Sequence, residues 1–93
     1  MKELIFSDGS TIPCAGLVEN SMLGIAYIVV PSDSGMTFLD VVAKFSNPDI
    51  LTVLTYMSAS ISGYTNISSI GLESVGFSVR LSRPAAIQEV QNA

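Results

Sequence analysis

The stretch Thr37-Phe38-Leu39-Asp40-Val41-Val42-Ala43-Lys44-Phe45-Ser46-Asn47-Pro48 decides how the rest of the chain has to be arranged. Phe38, Val41, Val42 and Phe45 fall at i, i+3, i+4 and i+7, which makes one apolar stripe at helical period, with Leu39 widening its edge. Thr37 is a good N-cap. Asp40, three residues on, completes a capping-box pattern and puts a negative charge in the first turn, while Lys44 follows it at i+4 for an ion pair on the wet face. Pro48 disfavours helical geometry at Asn47, so the helix should stop by Ser46. A helix this short with two valines does not persist alone. It needs a sheet to lie on.

Strand patterns stand on both sides of it. Residues 2–7 read as a strand closed by the turn Asp8-Gly9-Ser10, and a second strand follows from Thr11 to Leu17 or Val18. Pro13 lies inside it and cannot donate to a ladder, so this is an edge strand or a strand start. After a turn at Glu19-Asn20-Ser21, Leu23–Val30 is uncharged and rich in β-branched residues, the pattern of a central strand covered on both faces. Pro31-Ser32-Asp33-Ser34-Gly35 is a loop into the helix.

Beyond Pro48, residues 49–57 read as a strand, with Leu54 and Tyr56 on one face and Leu51, Val53 and Met57 on the other. Ser58–Gly63 reads as a flexible small-residue connection. Tyr64–Ile70 is a weaker strand, because Ile67 and Ile70 stand three apart and break the alternation, which predicts a bulge. Gly71-Leu72-Glu73-Ser74 reads as a turn, and Val75, Phe77, Val79 and Leu81 then alternate cleanly with small or polar residues. The expected fold is α+β: a mostly antiparallel sheet of five to six strands with one helix packed on a face, in the order β-β-β-α-β-β-β. Residues 1–83 form a single domain and 84–93 a flexible tail.

Composition bounds the function. The 93 residues are 48% hydrophobic and only 13% charged, so part of the apolar content is expected to lie in contacts with other chains, as a homo-oligomer or with a protein partner. A net charge of -4 with four scattered basic residues excludes a phosphate-binding surface, so no nucleic acid is expected. With no histidine and one cysteine, Cys14, the chain lacks the commonest general base and any Cys-rich zinc site. No catalytic residue, metal or cofactor is therefore expected, and the chain is read as not an enzyme. Cys14 reads as a small apolar filler, and Asp8-Gly9-Ser10 and Asp33-Ser34-Gly35 as turns, since neither has the ligand spacing of a calcium or phosphate loop. Asn66-Ile67-Ser68 matches a glycosylation acceptor by chance. Lys2 and Glu3 lead straight into a strand, unlike a signal peptide, and the uncharged run between Asp49 and Glu73 is too rich in Ser, Thr, Asn and Gly for a membrane helix. Tyr56, Tyr64, Arg80 and Arg83 are the candidate partner-binding residues, as types favoured at interface hot spots.

An outline then emerges from the opening strand with its Phe-Ser-Asp-Gly-Ser turn at 6–10 and the Phe-Leu-Asp-Val-Val-Ala-Lys-Phe helix closed by Ser-Asn-Pro at 38–48. The strand that follows directly, and a late hairpin from Tyr64 ending in Val79-Arg80-Leu81-Ser82-Arg83, complete it. It resembles small proteins of tailed bacteriophages and prophages of Gram-positive bacteria. The resemblance implies a virion component, in tail structure or assembly, located in the virion or the bacterial host cytoplasm, and supplies no catalytic residues. Two alternatives stand beside it: a small inhibitor of a host defence protein, and a small-ligand-binding domain.

Overall fold

The computed structural model describes residues 2–84. The expected tail therefore falls, apart from Pro84, outside the described residues. The order is β1 (Glu3–Ile5), β2 (Thr11–Pro13), β3 (Gly16–Asn20), β4 (Ile25–Pro31), α1 (Phe38–Phe45), a 3-10 turn (Pro48–Ile50), β5 (Val53–Tyr56), β6 (Ala59–Ser62), β7 (Asn66–Glu73) and β8 (Gly76–Ser82). The class is α+β, but the strands form two antiparallel sheets of four, ordered β2-β1-β5-β6 and β3-β4-β8-β7, where one sheet of five to six strands was expected. Their inner faces share one core. Leu4, Ile12, Leu54 and Ile61 of the first sheet meet Ala26, Ile28, Val30, Phe77, Val79 and Leu81 of the second in a single buried cluster.

Two corners explain the difference. The strand expected over Thr11–Val18 breaks at Cys14-Ala15: the Cys14 N–H still donates to Lys2 beside β1, while the Ala15 N–H already donates to Val29 in β4. One chain segment thus passes from sheet to sheet without a loop. Gly63-Tyr64-Thr65 does the same between β6 and β7, each an outermost strand of its sheet. Followed through both corners, the pairings run in a closed circuit, which leaves few open edges. Pro13 lies, as its chemistry demands, in the edge strand β2.

The helix forms as its sequence dictates. The Thr37 hydroxyl accepts from the Asp40 N–H, the Asp40 carboxylate accepts from the Thr37 N–H, and the helix closes at Ser46. Its packing is less complete than the stripe predicts. Val41 and Phe45 are buried, whereas Phe38 is 46% exposed and Leu39 75%. The reason is that α1 bridges two sheets instead of lying flat on one: Phe45 packs edge-on against Phe6 just after β1 (5.4 Å), and Phe38 tilts over Phe77 in β8 (6.0 Å). Asp40 holds the N-cap, and Lys44 donates to the Ser10 hydroxyl with its ammonium 4.8 Å from the Phe6 ring, so the expected pair is replaced by a tie to the first hairpin.

Other boundaries move for local reasons. Asn47 caps a 3-10 turn where a strand was expected, and that turn turns Leu51 into the core before β5 begins. Ser58–Gly63 is mostly strand, not flexible connection: β6 pairs with β5 across a two-residue turn in which Met57 takes φ +58. Gly71-Leu72-Glu73 continues β7, and the turn is Ser74-Val75. The bulge is where the spacing of Ile67 and Ile70 puts it, since the register passes from Ile67 opposite Leu81 directly to Ser69 opposite Arg80. β4 is central, yet only its inner row of Ala26, Ile28 and Val30 is fully buried, and Tyr27 on the outer face is 41% exposed.

Gly76 marks the tightest approach of backbone to backbone. It sits at φ +142 opposite Pro31, and a Cβ there would stand 2.0 Å from the Val30 carbonyl oxygen and 2.8 Å from the Ser32 nitrogen. Gly76→Ala is therefore expected to destabilise by about 3 kcal/mol or more, through clash and an unfavourable dihedral together. Met57→Gly, at an exposed left-handed position, should instead stabilise by about 0.5–1 kcal/mol. Urea unfolding of the two variants checks both signs, and a neutral Gly76→Ala would refute the packing described.

Candidate functional site

The structure separates the four candidate residues. Tyr64 is fully buried and plugs the space between the sheets at the end opposite α1. Its hydroxyl donates to the Glu19 carboxylate at 2.8 Å, and the Arg83 guanidinium covers its ring at 4.8 Å from the centroid. Arg83 is fixed in turn: its guanidinium donates to the Ser21 carbonyl (3.2 Å), its N–H donates to Gly24 (3.0 Å), and Gly24 at φ +68 lies against its aliphatic stem. Tyr64 and Arg83 thus close one end of the core; Tyr64 offers no surface to a partner, whereas Arg83 is exposed. Tyr56 is half-buried on the inner row of β5 and packs against the core. Arg80 is exposed at the middle of the outer face of the second sheet, 5.8 Å from the Tyr27 ring. Its row across that sheet is Val18, Tyr27, Arg80, Ser69.

The polar clusters are accounted for by turns. Asp8 accepts from both the hydroxyl and the N–H of Ser10, and Ser10 in turn accepts from Lys44. Those bonds from Ser10, with Lys44 nearby, hold the Asp8 carboxyl below its ordinary pKa. Ser10 has lysine and carboxylate neighbours, but its proton is given to Asp8 and its oxygen already receives the ammonium, which is the wiring of a turn lock, not of an activated nucleophile. Cys14 is buried at the sheet-to-sheet corner with its thiol 3.3 Å from the Gly16 carbonyl, and burial pushes its pKa up. A raised thiol pKa disfavours the reactive thiolate. Among the described residues there is no pocket and no group of three or more His, Cys, Asp or Glu side chains placed to hold a metal ion. No described helix is long and apolar enough to cross a membrane.

What the molecule does present is apolar surface at its turns and ends. Met22 is 95% exposed at the tip of the β3–β4 hairpin, with Leu23 beside it. At the other end Leu72, Val75, Phe38 and Leu39 are exposed around the β7–β8 hairpin and the start of α1. Sequence reasoning misses these residues because the pattern reads Leu23 and Val75 into strands, Leu72 into a turn and Phe38 into a buried stripe. Met22 alone carries a signal, as a large apolar side chain between the Glu19-Asn20-Ser21 turn and the next strand. The chain matches no protein-family model, no curated protein and no solved structure.

Burial, then the hydrogen bond to Glu19, push the Tyr64 phenol above its ordinary pKa, against the pull of Arg83. The folded protein therefore holds this proton more firmly than the unfolded chain does. Its contribution is fully present below the pKa of an unfolded tyrosine, about 10, and is lost as pH rises through the folded value. Tyr64→Phe should cost about 1 kcal/mol at neutral pH and flatten the alkaline limb of stability against pH. Urea titrations of both proteins from neutral to alkaline pH check this, and parallel alkaline limbs would contradict it.

Proposed function

We propose that this chain is a non-enzymatic protein that works by protein–protein association, as a component of the tail of a bacteriophage or prophage or of its assembly. The observation that carries the reading is the set of large apolar side chains left in water on a well-packed core. Met22, Leu23, Leu39, Leu72 and Val75 are all more than half exposed, although Tyr64, Phe45 and their neighbours are buried completely. Ordinary surfaces scatter such residues singly, whereas here most of them lie at hairpin tips and the adjoining helix start, with Met57 at the β5–β6 turn, and Val18 on the outer face of β3 is the exception. Covering one of them removes on the order of 1.5–3 kcal/mol of apolar exposure, so a few suffice to hold a neighbouring subunit.

The low charge supports this, since a surface with few ions loses little hydration on contact. The sequence outline supplies the setting of a tailed phage. In that setting the protein is held in the virion, or in the host cytoplasm before assembly.

Two measurements test the proposal together: the mass in solution at high concentration, and the protein content of purified virions from an induced lysate. The chain is expected in the virion, or in a complex with tail components. Met22→Ser combined with Leu23→Ser should leave stability within about 0.5 kcal/mol, because both side chains are already in water, while reducing recovery with its partner. A strict monomer absent from virions and from tail complexes would overturn the reading. Capture of a host defence protein instead would favour inhibition.

A further inference from the structure

The four outermost strands of the two sheets are not equally protected. β2 has three residues and contains Pro13, β6 has only four residues, and β3 has five and is anchored through Glu19 to Tyr64. β7 is different. It has eight residues, no proline, and Glu73 as its one charge; α1 packs against it, but among the described residues its backbone hydrogen bonds run to β8 alone. The bulge at Ser68 interrupts its first part, but Ser69–Glu73 runs in unbroken register along β8. A regular edge with so little charge is a template for another strand.

We propose that two copies of this chain pair through β7, antiparallel about a two-fold axis at Gly71, so that their second sheets become one continuous sheet. The five residues Ser69–Glu73 are self-complementary in that register. Directly opposed residues of an antiparallel pair share a face, and centring on Gly71 places Ser69 opposite Glu73, Ile70 opposite Leu72, and Gly71 opposite itself. On the inner face, Leu72 is 77% exposed although its partner across β8, Phe77, is buried. Ile70 of the second copy covers it, next to the half-exposed Phe38 that already packs on Phe77.

On the outer face the charges match. Glu73 lies opposite Ser69 of the second copy, and Ser69 stands next to Arg80 across β8. Two strand spacings, about 9–10 Å, separate Glu73 from that Arg80, which a glutamate and an arginine span together over the small serine between them. The two-fold axis makes this contact twice. Gly71 keeps the centre free of side chains, as glycine does where another backbone comes close, and a Cβ built on it meets nothing within 4 Å. The inference rests on the chain acting by association, and names its partner as a second copy.

Sedimentation across a concentration series, with charge-swap variants and a cysteine probe, tests it. Glu73→Arg and Arg80→Glu should each weaken the dimer about tenfold or more, and the double variant should recover it, because only the swap restores both contacts. Gly71→Cys should form a disulfide-linked dimer on mild oxidation, since residues opposed at the axis lie about 4.5–5.5 Å apart at Cα. Ser60→Cys, on the first sheet, should not, and buried Cys14 stays silent. Melting temperatures confirm that each variant is folded. A dimer without charge rescue or without the Gly71→Cys cross-link overturns the proposal. So does a wild-type monomer that still travels with virions, an outcome that leaves association itself standing. A monomer absent from virions removes both.

Discussion

Each four-stranded sheet of this protein has an apolar face that only the other sheet can cover, and the rest of the structure follows from that constraint. Leu4, Ile12, Leu54 and Ile61 on one side and Ile28, Val30, Phe77, Val79 and Leu81 on the other form one core. A sandwich of this kind is open at both ends, and water entering there would reach the same side chains. α1 closes one end through Phe45 and Val41, and Tyr64 closes the other under Arg83. Both plugs use a long aromatic side chain, because a large rigid ring fills much of the gap at low cost in rotamer freedom.

The two plugs are held by different physics. α1 is local in origin: its cap, charges and stripe are encoded within twelve residues, and its packing adds ring contacts to both sheets. The Tyr64 end is assembled from three separate segments: Glu19, Ser21 and Gly24 come from the β3–β4 hairpin, Arg83 from just past the end of β8, and the tyrosine from the corner between β6 and β7. Such a cluster forms only when the sheets have met, so it reports on tertiary structure in a way that the helix does not. Of the residue types common at interfaces, Tyr64 is here spent on sealing the core, with the exposed Arg83 lying over its ring.

Closure has a consequence for the surface. Because the chain turns through Cys14-Ala15 and Gly63-Tyr64-Thr65 to carry strands between sheets, most edges are short, blocked by proline or tied to the core. β7 remains long and regular beyond its bulge, and it lies beside the exposed Leu72, Phe38 and Leu39. Apolar surface and a backbone edge therefore coincide at one end of the molecule, while Met22 and Leu23 mark the other. Two distinct apolar surfaces thus stand at opposite ends of the molecule.

The sequence by itself determined what depends on near neighbours. The α1 boundaries, the capping box of Thr37 and Asp40, the Asp8-Gly9-Ser10 turn, the edge position of Pro13, the bulge between Ile67 and Ile70 and the inward row of β8 were all legible, since caps, turns and alternation act over a few residues. Only the tertiary structure decided that the strands divide into two sheets, that Ser58–Gly63 pairs as a strand, that Phe38 stays half in water and that Tyr64 is buried under an exposed Arg83 while Arg80 stands on the outer face of the second sheet. The physical reason is that periodicity records which side chains share a face, not which distant face covers them. That is settled by the corners at Cys14 and Gly63, where a strand changes sheet without a loop to announce it.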